Sequence, residues 1–233
     1  MNADATPLSF GPVNRPLFGW LNVPAGGAAQ GGVVLCQPLG IEATCVYYTY
    51  RLLADRLAQL GLAVLRFDYD GTGDSYGQET DPGRLESWLG SVTAATDFLS
   101  ERGVGPIGLV GVRMGGLFAA SEAARRGGVD ALALWDPCLS GRAFVREQRF
   151  LRLVSEHETK NGGDDDDAAG AVEAPGLRME RETVADLSGL AIKQTEGRVA
   201  DRALVLIPPG LSRPRVLEDR LAGTKVDWQE ATG

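Results

Sequence analysis

Ile107-Gly-Leu-Val-Gly-Val-Arg-Met-Gly-Gly-Leu-Phe-Ala-Ala-Ser-Glu-Ala-Ala-Arg-Arg126 decides the fold of this chain. An apolar run of strand length, Ile107 to Val110, enters a turn bracketed by Gly111 and Gly115, and a small-residue helix pattern leaves it. Glycine, any residue, a central residue, any residue, glycine is the spacing of a sharp strand-to-helix elbow, which projects its central side chain from the end of a sheet. The central residue here is Arg113. The glycines preserve the geometry, whereas a guanidinium offers only donors and cannot act as a nucleophile.

Working outward, the same rhythm repeats. Gly32-Val-Val-Leu-Cys-Gln-Pro38 is a continuous apolar run, as expected of a central strand buried on both faces, and Thr44 to Leu60 follows with helical spacing at Tyr48, Leu52, Leu53, Leu57 and Leu60. Leu62 to Asp68 is the next strand, and a helix after Pro82 turns Leu85, Trp88, Leu89, Val92, Ala95, Thr96 and Leu99 inward. Ala131 to Trp135 and Arg202 to Ile207 read as further strands, residues 8 to 24 as an edge hairpin, and Lys225 to Glu230 as a last strand. Strands alternating with helices imply an α/β fold with a mainly parallel sheet, helices on both faces, and ligands at the carboxyl ends of the strands. Between Trp135 and Arg202 the rhythm breaks. A lid insertion is expected over about 141–196, with Phe144, Phe150, Leu151 and Val154 inward on a first helix, an acidic loop at 161–176 around Asp164 to Asp167, and a helix within Leu177 to Ile192.

The 233 residues are expected to form a single domain, 1–233. A net charge of -8 repels phosphate backbones and anionic head groups, so neither nucleic acid nor a membrane is an expected partner. The first residues lack a basic segment and an apolar core of signal length, so the protein is expected to stay in the cytoplasm. Cys36, Cys45 and Cys138 are too few and too scattered for a disulfide framework or a zinc site, so free thiols, no metal and no cofactor are expected.

Arg66-Phe-Asp-Tyr-Asp-Gly-Thr-Gly-Asp-Ser75, Pro38-Leu-Gly-Ile-Glu42, the elbow, and Leu134-Trp-Asp-Pro-Cys-Leu-Ser-Gly-Arg142 together resemble the serine aminopeptidase S33-type branch of the α/β-hydrolases, over roughly residues 15 to 232. The last of these is similar to a segment of bacterial hydrolase-like proteins, some of which carry arginine at the elbow. The resemblance implies an α/β-hydrolase fold with an oxyanion loop at Leu39 and Gly40, and a pocket near Arg113, Met114, Asp136 and Asp68. Two departures stand out. The family's elbow serine is Arg113, and the sequence ends where the family supplies its histidine-bearing loop; the sole histidine, His157, sits in the polar run Ser155 to Thr159 and is expected on a solvated surface.

Two functions follow. The first is a degenerate, non-hydrolytic binding or partner-assembly module, in which Arg113 either clamps an acidic small molecule or pairs with Asp136 or Asp68. Pairing is favoured because a fixed buried charge is costly without partners. The second is an active hydrolase or acyltransferase on an ester, amide or thioester, using Cys138, Ser75 or residues of another chain. Ser75 reads as closing its turn, and Cys138, at the mouth of the sheet, has no basic partner in sequence to lower its pKa. A terminal strand with an unpaired edge also raises the expectation of a homodimer through it.

Overall fold

The computed structural model describes residues 5–159 and 170–231, the side chains of 155–159 excepted. Its centre is an 8-stranded sheet in the order β1-β2-β4-β3-β5-β6-β9-β10. β1 (Ala5–Phe10) and β2 (Leu17–Asn22) form the antiparallel edge hairpin, and β2 joins β4 (Leu62–Phe67) antiparallel. From β4 onward every neighbouring pair is parallel, through β3 (Gly31–Cys36), β5 (Ile107–Val112), β6 (Val129–Trp135), β9 (Ala200–Ile207) and β10 (Lys225–Glu230). Parallel pairs need crossovers, and α1 (Ile41–Gln59), α2 (Arg84–Glu101), α3 (Met114–Arg125) and α6 (Arg215–Arg220) supply four of the five, the connection from β6 to β9 being the longer insertion.

The two faces are covered unequally. Val34, Leu65, Leu109, Leu134 and Val205 pack beneath the buried sides of α2, α3 and α6, where Trp88, Phe118 and Leu217 are fully enclosed. The other face, built on Val33, Leu35 and Val64, is closed by Tyr50 and Ala54 of α1. Strand alternation puts Ala133, Trp135, Leu204 and Leu206 on that second face beyond the cover of α1, and Trp135 is 39% exposed.

Three sequence expectations are corrected. On α1 the buried side is Tyr50, Ala54 and Ala58, whereas Tyr48, Leu52 and Leu60 are exposed. The face on the sheet thus combines Tyr50 with the small Ala54 and Ala58, and Leu53 and Leu57 pack at its margin. On α4 (Gly141–Thr159) Phe144 is buried, but Phe150 and Val154 face outward. The helix expected within Leu177 to Ile192 is present as the short α5 (Arg181–Gly189), but the end of the expected 161–176 loop is instead a strand, β7 (Val172–Ala174), which forms an antiparallel hairpin with β8 (Leu177–Met179) across Pro175 and Gly176. Asp164 to Asp167 and the side chain of His157 lie outside the described residues. Among the described residues no helix is long and apolar enough to cross a membrane.

Candidate functional site

The elbow forms because its glycines permit a backbone approach that any side chain would block. A Cβ on Gly111 would come within 2.3 Å of the Gly115 carbonyl oxygen, and one on Gly115 within 2.1 Å of the Cys36 carbonyl oxygen, so β5, the turn and β3 meet backbone to backbone. Arg113 stands at the apex with φ 51 and ψ −118, a left-handed conformation that costs a non-glycine residue about 1–3 kcal/mol. Its N–H donates to the Trp135 carbonyl at 3.1 Å, and its own carbonyl accepts from the Cys138 N–H at 3.0 Å. The turn is thereby tied to the end of β6.

The guanidinium is met by carboxylates from three elements. Nε donates to Glu42 Oε1 at 2.9 Å, Nη1 to Asp136 Oδ2 at 3.4 Å, and Nη2 to Glu147 Oε2 at 2.5 Å. Glu42 lies in the first turn of α1, where the helix dipole favours an anion, Asp136 follows β6 directly, and Glu147 belongs to α4. The Arg113 side chain is 20% exposed, so it is fixed in a half-buried position and its contacts are worth more than surface ion pairs.

Asp136 thus meets Arg113, and Asp68 does not. Asp68 instead accepts from the Asp74 N–H at 3.0 Å and from Gln37 Nε2 at 3.2 Å, while burial raises its pKa. It lies 31 residues from Gln37 in sequence but on the neighbouring strand end, which draws it toward the β3 loop rather than the elbow. Glu42 and Glu147 are the partners that sequence reasoning missed.

The expected pocket residues separate into two places. Leu39, Gly40 and Asp68 line a cavity of about 400 Å³ with Tyr47, Tyr69 and Leu177, under the β7–β8 hairpin. The hairpin is seated on the β3–α1 loop: Ile41 N–H donates to the Pro175 carbonyl at 3.0 Å, and a Cβ on Gly40 would lie 3.1 Å from Leu177 Cβ. Glu79 also lines this cavity; burial raises its pKa, and its Oε1 accepts from the Arg178 N–H at 2.8 Å. Arg113, Asp136 and Cys138 remain outside it, and Met114 is fully buried in the core.

The wall carrying Asp68 and Thr72 is held by a buried ion cluster. Arg84, 1% exposed, donates to Asp70 Oδ1 at 2.8 Å and to the Asp70 carbonyl at 3.1 Å, while Arg15 forks onto both Asp70 oxygens at 2.8 and 2.7 Å. Burial opposes ionisation of Asp70, but the two arginines hold its pKa below the usual carboxylate value. Gly71 and Gly77 make room for this cluster, since a Cβ on either would strike Arg84 Nη1 or Arg15 Nη2.

Both candidate nucleophiles are held by their surroundings. Ser75 Oγ donates to the Asp68 carbonyl at 2.6 Å and accepts from the Phe18 N–H at 2.9 Å, so its hydroxyl closes the turn. Cys138 is buried, and burial pushes its thiol up to about 12 against the opposing effect of Arg113.

Comparison with known proteins agrees with this scaffold. The sequence model of the family described as serine aminopeptidase, S33, matches residues 30–160, more than half of the chain. No curated protein matches the sequence. Among solved structures, Est1E from Butyrivibrio proteoclasticus with ferulic acid bound is similar at a TM-score of 0.68 and 17% identity, over 96% of this chain and 88% of that one. The α/β hydrolase GrgF from Penicillium sp. sh18 gives a TM-score of 0.65 and 17% identity, over 99% and 91%. A serine hydrolase without a lid from Xanthomonas campestris gives a TM-score of 0.56 and 16% identity, over 100% and 86%. At such identities these structures share the fold with this chain.

Proposed function

The chain belongs to the serine aminopeptidase S33 family, and we propose that within it this is a non-hydrolytic binding module, its nucleophile position closed by an ion-pair lock. One observation carries the reading: each of the three guanidinium nitrogens at the elbow apex is engaged by a different carboxylate. Three carboxylates around one guanidinium leave a local charge of about −2, which repels the acidic ligand that Arg113 alone would attract. The elbow is therefore a lock rather than a clamp.

Binding belongs instead to the cavity beneath the hairpin. Its volume of about 400 Å³ is of small-molecule size, and Leu39, Tyr47, Tyr69 and Leu177 give it an apolar wall. Asp68 and Glu79 are its acidic groups, which suits a neutral or cationic ligand better than an anionic one. A homodimer through β10 fits less well, because Lys225, Asp227 and Glu230 are exposed on that strand and charge discourages edge pairing.

Turnover of nitrophenyl esters from acetate to octanoate tests the reading. The rate with protein is expected to equal the buffer rate throughout the series. Turnover that disappears in Cys138→Ala or Ser75→Ala would establish the hydrolase alternative and overturn the lock.

A further inference from the structure

Arg142, Arg146 and Arg149 of α4 and Arg181 at the start of α5 line a groove of about 650 Å³ between the two helices. At 3.6 residues per turn the three α4 positions fall in a stripe about 60° wide and about 10 Å long. Val145 and Val184, both buried, form its apolar floor. The four arginines are exposed, and among the described residues none of them has a carboxylate partner, although Arg15, Arg84, Arg113, Arg125 and Arg126 are all paired. Four cations converging on one concavity repel each other, in a chain with a net charge of -8, unless an anion lies between them.

We propose that this groove binds a small molecule bearing a linear chain of two or more phosphoryl groups. The guanidinium fork matches phosphoryl oxygens two at a time, and a row of three forks faced by a fourth suits linked phosphates better than a single carboxylate. The valine floor accepts an organic substituent. The site is separate from the cavity under the hairpin and from the ion pairs of the elbow, so it extends the binding reading without depending on it: none of its lining residues pairs with Arg113 or lines that cavity.

Calorimetric titration of the full chain with tripolyphosphate, and separately with ATP, tests the proposal. One site per chain is expected, weakening about tenfold or more between roughly 0.05 and 0.5 M NaCl as the charges are screened. Arg146→Glu with Arg149→Glu, both exposed, should fold normally and weaken binding by about tenfold or more. Tighter binding of ATP than of tripolyphosphate assigns the site to a nucleotide, and equal or weaker binding assigns it to a free phosphate chain. Binding of neither below about 1 mM, or wild-type affinity in the double variant, overturns the proposal.

Discussion

Replacing Arg113 by Ala removes the cation from the elbow and leaves Glu42, Asp136 and Glu147 facing one another. The backbone strain is common to both proteins, because Ala and Arg tolerate φ 51 equally poorly, so the difference isolates the side chain. Two terms compete. Glu147 and Asp136 are 45% and 40% exposed and rehydrate readily, which holds their share to the range of surface pairs. Glu42 is 27% exposed, and its buried Oε2 has no hydrogen-bond partner among the described residues, so loss of the Nε contact at 2.9 Å strands a half-buried charge. The net loss is expected to be about 2–3 kcal/mol, which lowers Tm by roughly 5–10 °C for a chain of this size. Chemical denaturation at low salt measures it. In about 1 M NaCl, where screening acts over about 3 Å, the deficit should shrink by about half, because much of it is carboxylate repulsion. A loss below about 0.5 kcal/mol, or one insensitive to salt, would refute the lock.

Asp70→Asn should cost about 3–5 kcal/mol, since it leaves Arg84 charged and enclosed. Asp70 has a folded-state pKa below its unfolded value, so its stabilisation is complete above the ordinary carboxylate range and is lost as pH falls through the lowered value. Wild-type Tm should therefore fall on acidification below about pH 4, and Asp70→Asn should show a shallower acid limb; parallel limbs would contradict the assignment. Gly115→Ala should prevent folding or cost more than about 3 kcal/mol, because its Cβ would overlap the Cys36 carbonyl, and a soluble variant of near wild-type Tm would count against the elbow geometry. Iodoacetamide at pH 8 should modify exposed Cys45 rapidly while Cys36 and Cys138 react only in denaturant, as read by peptide mapping.

The elbow was legible in the sequence because its requirement is steric and local: Gly111 and Gly115 lie four residues apart and each meets backbone. The buried strands were legible for a similar reason, since enclosure on both faces demands continuous apolar runs. The lock was only half legible. Asp136 lies at a strand end beside the elbow, but Glu42 and Glu147 are 71 and 34 residues away, on helix surfaces where a glutamate is ordinary. Arg84 likewise reads as a helix-start residue, and its enclosure depends on Asp70, 14 residues earlier, turning back to meet it. On α1 the apolar count misled, because Tyr47 lines the cavity and Tyr48 and Leu52 are exposed, while the face on the sheet is marked by small Ala54 and Ala58. The arginine groove needs α5 beside α4, and the intervening hairpin had no sequence signal stronger than the turn at Pro175 and Gly176.

The most direct test of the central claim is intact-mass spectrometry after incubation with a fluorophosphonate, the reagent that traps activated serine hydroxyls. With Arg113 at the apex and Ser75 bonded to Phe18 and Asp68, the mass should remain that of the unmodified chain. A stoichiometric adduct mapping to a serine beside the elbow or the cavity would contradict the account.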